Sequence, residues 1–224
     1  MSILILVIFL SGCASCSFNE NRCTFNIEPI SGTRIQWRKD LPVTLRIHED
    51  IPEAAHVALV NAADRWNEAA GRDLLIIHDK LFGSDNMCPS RDFYNVIYFA
   101  PSPCRPLDTK TAYARNRIRS NKIVESDVVF NDFGGFFPGS GHEEYFSIPH
   151  RFYIDLESVA VHEFGHVLGL QHSDYPESVM GKSLRNGEEK RELSDTDVHN
   201  VRCAYDGREN RPINPVFDVI DYYR

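Results

Sequence analysis

Pro42-Val43-Thr44-Leu45-Arg46-Ile47-His48 alternates apolar and polar side chains with a period of two, which predicts a strand with one buried face. After Pro52 the period lengthens. Ala55, Leu59, Ala62, Trp66 and Ala69 fall on one helical stripe, Pro52 suits a first helical turn, and Gly71 closes the run. Such a stripe reads as core rather than as a ligand surface. Leu74-Leu75-Ile76-Ile77 and the run from Asn95 to Ala100 are short and continuously apolar, and predict buried strands. Thr111 to Arg115 and Glu125 to Asn131 predict two more. Pro101 to Pro106 is a Pro-rich loop. Asn131 to His150, with Gly134-Gly135 and Pro138-Gly139-Ser140-Gly141, reads as a long loop. Leu193 to Tyr205 predicts a closing helix, and Arg208 to Arg224 a tail.

Composition changes this picture little. With 42% hydrophobic and 25% charged residues in 224, the chain is ordinary for one soluble domain with a real core. A net charge of −8 and the lack of a basic stripe argue against a nucleic-acid partner. Nothing calls for more than a monomer. The first residues change more. Ile3 to Leu10 is apolar but too short to span a bilayer, and it reads as the core of an export signal. Leu10-Ser11-Gly12-Cys13 resembles the bacterial lipobox. That resemblance implies a signal over residues 1–12, lipid on Cys13 and a chain tethered to the cell envelope; without the lipid the chain is secreted. Six cysteines in an exported chain point to disulfides. Cys88 with Cys104 is the first candidate pair and Cys23 with Cys203 the second, although spacing leaves connectivity open. If Cys13 carries lipid, an odd cysteine remains.

The chemistry concentrates in His162-Glu163-Phe164-Gly165-His166-Val167-Leu168-Gly169-Leu170-Gln171-His172, an H-E-x-x-H-x-x-G-x-x-H run. On a helix, His162 and His166 lie one turn apart and present two imidazoles to one metal ion. Glu163 sits beside the first ligand, placed to hold water without binding metal. Gly169 allows the chain to leave the helix, so that His172 swings round as a third ligand and a fourth position stays open. His142 and His150 lack spaced partners and are not read as ligands.

This run, followed by Met180, resembles the metzincin zinc endopeptidases, and the flanks resemble matrixins in particular. The flanks are Asp155-Leu156-Glu157-Ser158-Val159-Ala160-Val161-His162 ahead of it, Ser173 after the third His, Ser178-Val179-Met180 as a Met-turn, and Glu192-Leu193-Ser194-Asp195-Thr196-Asp197-Val198 opening the last helix. The resemblance implies an α+β metzincin catalytic domain over residues 41–206. A twisted, mostly parallel sheet, two long helices and a small C-terminal part with the Met-turn and last helix would make it up. Residues 13–40 are then an N-terminal extension and 207–224 a tail.

The resemblance also implies one catalytic zinc on His162, His166 and His172, Glu163 as general base, and Met180 as an apolar floor beneath the metal. Asp155 caps the active-site helix, and Asp197 is a structural partner near it. The strands after Thr111 and Glu125 supply the edge along which a peptide substrate lies, and residues from Lys182 to Lys190 form the outer wall of the specificity pocket. Animal matrixins carry structural-zinc histidines where this chain has Tyr113 and Val129-Phe130-Asn131, so neither a second zinc nor a structural calcium is implied. Asn21-Arg22-Cys23-Thr24 lacks the Pro and Gly of a zinc-blocking latency motif. Two other functions remain open on these residues: an inactive metzincin-fold binding protein, and a zinc hydrolase of a non-peptide amide.

Overall fold

The computed structural model describes residues 26–27, 34–49, 51–82, 88–100, 111–131, 136–137 and 153–205. Cys13, Cys23, Cys104, the loop 101–106, the loop histidines His142 and His150, and the tail 207–224 lie outside the described residues.

A short antiparallel pair, β1 (Asn26–Ile27) and β2 (Arg34–Ile35), precedes the main fold. In β3 (Val43–His48) the predicted alternation appears as buried Val43, Leu45 and Ile47. The chain crosses over through α1 (Glu53–Ala70), capped by Pro52 and stopped at Gly71 with φ +67°. That left-handed conformation is cheap for glycine. The Asn67 side chain accepts from the Leu74 and Leu75 N–H groups and donates to the Leu75 carbonyl, which joins the helix end to β4 (Leu75–Phe82). There follow β5 (Asn95–Ala100), β6 (Ala112–Arg119), β7 (Lys122–Asn131), β8 (Phe136–Phe137), β9 (Ile154–Asp155), α2 (Leu156–Val167) and α3 (Asp195–Tyr205).

The five-stranded sheet has the order β4-β3-β5-β7-β6, parallel throughout except for antiparallel β6 on β7. This is the α+β architecture expected from the sequence. Two details differ. Leu74 to Ile77 does not run in the middle of the sheet: β4 is an edge strand, and Ile76 is 42% exposed. The strands after Thr111 and Glu125 are longer than their apolar runs and form one hairpin. Ser120 and Asn121 turn it with φ of 48° and 58°, the paired left-handed geometry that fits the twist of a hairpin.

One face of the sheet packs on the helices. α1 lies against α2, α3 and β4, while α2 also meets β6 and β7. Trp66, Leu59, Phe130 and Phe164 are fully buried between these layers. The opposite face buries Val96, Tyr98 and Val129, with Tyr113 and Cys88 packed against them. Glu125 there pairs with Arg117 and accepts from the Phe93 N–H, which pins the chain ahead of β5 across the sheet. Cys88 and Cys203 are each disulfide-bonded; pairings with Cys104 and Cys23 involve residues outside those described. Among the described residues no helix is long and apolar enough to cross a membrane.

Candidate metal centre and active-site cleft

The site is built on α2, and α2 is fixed at its first residue. Asp155 caps it by accepting from Ser158 N–H at 2.9 Å and Ser158 O–H at 2.6 Å. Arg191 closes a two-pronged pair on the same carboxylate, at 2.8 and 2.5 Å. Burial on its own pushes the Asp155 carboxyl up, but Arg191 and the Ser158 donors outweigh it and hold the pKa below the usual carboxylate range. Glu157, also buried, pairs with Arg65 of α1 at 2.8 Å. Both acids sit at the positive end of the helix, where they offset its dipole.

One turn further on, His162 and His166 face the same way, and the turn after Gly169 brings His172 opposite them. Ligand nitrogens of the three rings all lie within 4.8 Å of one another, and His166 Nε2 is 3.2 Å from His172 Nε2. A tetrahedral zinc with Zn–N bonds of about 2.0–2.1 Å sets its nitrogens about 3.3 Å apart. The donor set and spacing therefore fit zinc. Two of the rings are also oriented from behind. His162 Nδ1 donates to the Val179 carbonyl at 2.8 Å and His166 Nδ1 to the Leu170 carbonyl at 2.9 Å, which leaves each Nε2 lone pair aimed inward. Burial, reinforced by His172 and the Lys190 charge, lowers the His162 pKa against the pull of the Val179 carbonyl, and so favours the neutral imidazole a metal needs.

Glu163 is 5% exposed and lines the same cleft as the three histidines. That cleft, of about 610 Å³, runs between β6 and the chain that follows the Met-turn. Thr111, Ala112, Tyr113, Ala114 and Asn116 form one side; Gly181, Lys182, Ser183, Leu184 and Lys190 form the other. Among the described residues β6 pairs on one side only, with β7, so its edge toward the cleft is open to an extended chain.

The family described as Matrixin matches residues 48–206 of this chain. The match includes the three histidines, the edge strand and the Met-turn just described. The chain belongs to the matrixin family. Among curated relatives, Metalloendoproteinase 5-MMP of Arabidopsis thaliana is 44% identical over 57 residues, 25% of this chain and 16% of that protein. Metalloendoproteinase 2-MMP of Arabidopsis thaliana is 46% identical over 57 residues, 25% of this chain and 15% of that protein. Matrix metalloproteinase-2 of Drosophila melanogaster is 34% identical over 86 residues, 33% of this chain and 11% of that protein. The matched stretch spans about one sixth of the two plant proteins. The two plant relatives are named as metalloendoproteinases.

Several residues of this matrixin act without any local signal in the sequence. Gly165, inside the H-E-x-x-H run, leaves room for its neighbours: a Cβ there would meet Met180 Sδ at 2.3 Å and Trp66 Cζ2 at 2.9 Å. Met180 thus packs directly against the helix between the two histidines. Gly169 has φ +85°, as the turn requires, but a Cβ would also strike the Ile35 carbonyl at 2.7 Å. The two tryptophans of the chain both donate to backbone carbonyls of α2, Trp66 to Val161 and Trp37 to Val167, each at 2.8 Å. Tyr205 donates to Leu168 O at 2.7 Å and Asn116 to His166 O at 2.6 Å. The last carbonyls of a helix have no partners within it. Three elements satisfy them here and hold the ligand-bearing turn still.

Asp197 stands near the active-site helix as a structural partner, close enough for its charge to act on His162. Fully buried, it clamps the Met-turn, accepting from Ser178 O–H at 2.6 Å and Val179 N–H at 2.9 Å, and from both donors of Ser194. It reaches the metal ligands at one remove, because Val179 O is the acceptor for His162.

Proposed function

We propose that this matrixin is an exported endopeptidase that carries one zinc ion and acts as a monomer on protein or peptide chains. The observation that supports it is the convergence of three imidazole nitrogens within 4.8 Å, beside buried Glu163, in a cleft with an open strand edge. His162, His166 and His172 hold the ion. Zinc, when bound, supplies Lewis-acid activation of water and of the scissile carbonyl. A substrate lies extended along β6, where backbone pairing reads main chain and leaves side chains to the pockets. Glu163 takes the proton of the attacking water as general base and returns it to the leaving amine. Its burial keeps bulk water from competing for that proton. Met180, packed under the helix at Gly165, keeps the floor beneath the histidines apolar.

The export reading rests on the apolar run from Ile3 to Leu10 and on Cys13 after Leu10-Ser11-Gly12. Residues 1–12 are removed, Cys13 carries lipid, and the extension 13–40 joins the anchor to the catalytic domain 41–206. A single myristoyl-length chain binds a membrane only marginally, so a stable tether takes more than one acyl chain.

Zinc content per chain and cleavage of an unfolded polypeptide such as casein, with and without chelator, test the catalytic reading. One zinc per chain, with cleavage that stops on chelation and returns with zinc, is the expected result. A zinc-loaded protein that cleaves no peptide contradicts it. Mass analysis of the mature N-terminus tests the anchor. A diacylated Cys13 is expected, and a free thiol there overturns the lipid reading.

A further inference from the structure

The wall of the cleft opposite β6 carries charge that the metal chemistry does not use. Among the described residues lining the cleft, Glu163 is the sole carboxylate, whereas Lys182 and Lys190 are both present. Lys182 is already spent, since it pairs with Asp174 at 3.1 Å where both side chains are largely exposed. Lys190 is different. Its backbone N–H donates to Ser158 Oγ at 2.7 Å in the first turn of α2, and its ammonium donates to the Pro176 carbonyl at 2.6 Å. A carbonyl is a neutral acceptor, so this bond fixes the ammonium without cancelling its charge. The same Nζ lies 3.4 Å from where a Cβ on Gly181 would stand, next to the Met-turn. Anchored at both ends, Lys190 lines the cleft together with Leu184 and with Val159 of α2.

We propose that Lys190 sets specificity by receiving the carboxylate of an aspartate or glutamate in the substrate, at a residue flanking the cleaved bond. This deepens the peptidase reading above and rests on it. The spacing supports the position. Val159 precedes His162 by three residues, about one helical turn or roughly 5 Å along α2. Consecutive residues of an extended peptide advance about 3.3 Å. A peptide whose scissile carbonyl sits at the histidines therefore carries the neighbouring side chain into the pocket where Lys190 stands. Against a chain of net charge −8, the Lys190 ammonium at this wall is a local cation that favours an anionic side chain.

The experiment uses zinc-loaded full-length protein and a peptide series in which each flanking position in turn is Glu, Gln, Leu or Lys. The readout is the ratio of kcat/KM for Glu over Gln at one position, measured within each protein so that differences in zinc loading or folded fraction cancel. At the favoured position the wild type is expected to prefer Glu by roughly two- to fivefold, the upper range of one partly exposed charge pair. Lys190→Arg should retain the preference, Lys190→Met should bring the ratio near one, and Lys190→Glu should invert it. A wild-type ratio near one at both positions overturns the proposal, as does a preference that survives in Lys190→Met. A zinc-loaded wild type that cleaves no member of the series overturns the peptidase reading, and this inference with it.

Discussion

Gly165 shows how much one missing side chain decides at the residue scale. In a helix interior glycine costs up to about 1 kcal/mol relative to alanine, so its presence asks for a reason. The reason is Met180 Sδ, 2.3 Å from where a Cβ would sit, with fully buried Trp66 behind it at 2.9 Å. Gly165→Ala should therefore destabilise the protein by about 1–3 kcal/mol despite better helix propensity. Urea unfolding in the presence of chelator measures this without the metal's contribution; an unchanged or higher midpoint contradicts the packing described. The sequence made Gly169 legible, because a turn must follow the second histidine if a third is to reach the metal. Gly165 was silent, since nothing local in H-E-x-x-H requires it. Its cause is Met180, fifteen positions downstream, and Trp66, almost a hundred upstream.

At the scale of elements, the active-site helix is capped locally by Asp155, but its last turn is held by partners from distant parts of the chain. Local pattern announced α1 by its helical stripe, β3 by its alternation and β5 by its unbroken apolar run. Asp155 was legible as a cap because its carboxylate can accept from the first N–H groups of the helix. The donors from Trp37, Asn116 and Tyr205 to the last carbonyls of α2 follow from tertiary packing, and no spacing rule encodes them. The edge position of β4 was missed because an apolar run looks alike in the middle and at the margin of a sheet. Asp197 of α3 is the strongest of these long-range ties, since it holds Ser178 and Val179 while Val179 O holds His162. Asp197→Ala should weaken zinc affinity by roughly ten- to a hundredfold, as loss of a partner behind a metal ligand does. Competition against a chromogenic chelator reads this directly. Unaltered affinity would mean that the Met-turn keeps His162 in place without α3.

Over the whole molecule, two buried carboxyls respond to pH in opposite senses. Asp127, buried on the face away from the helices, is pushed up to about 7, chiefly by burial and further by Glu125 and Asp92, against the Val96 N–H and Arg115. A carboxyl whose folded pKa is raised binds its proton more tightly in the folded state. Its contribution to stability is therefore full below the unfolded value near 4 and lost as pH rises through about 7. Asp155 runs the other way: its lowered pKa contributes above the unfolded value and is lost as pH falls through the folded one. Urea unfolding of the metal-free protein between pH 4 and 7 should show wild type losing stability relative to Asp127→Asn as pH rises. Parallel profiles would contradict the buried protonated carboxyl. The sequence displayed Glu125 and Asp127 only as polar breaks in an apolar strand; that the sheet buries both faces there could not be read from one strand's pattern.

The central claim is that a metal held by His162, His166 and His172 and a proton acceptor at Glu163 together cleave peptides. The most direct test pairs zinc stoichiometry with casein cleavage for wild type and Glu163→Gln. Both proteins should hold one zinc, and the variant should lose activity by roughly 10²- to 10⁴-fold, the usual contribution of a positioned general base. Equal cleavage by the two zinc-loaded proteins would contradict the role given to Glu163.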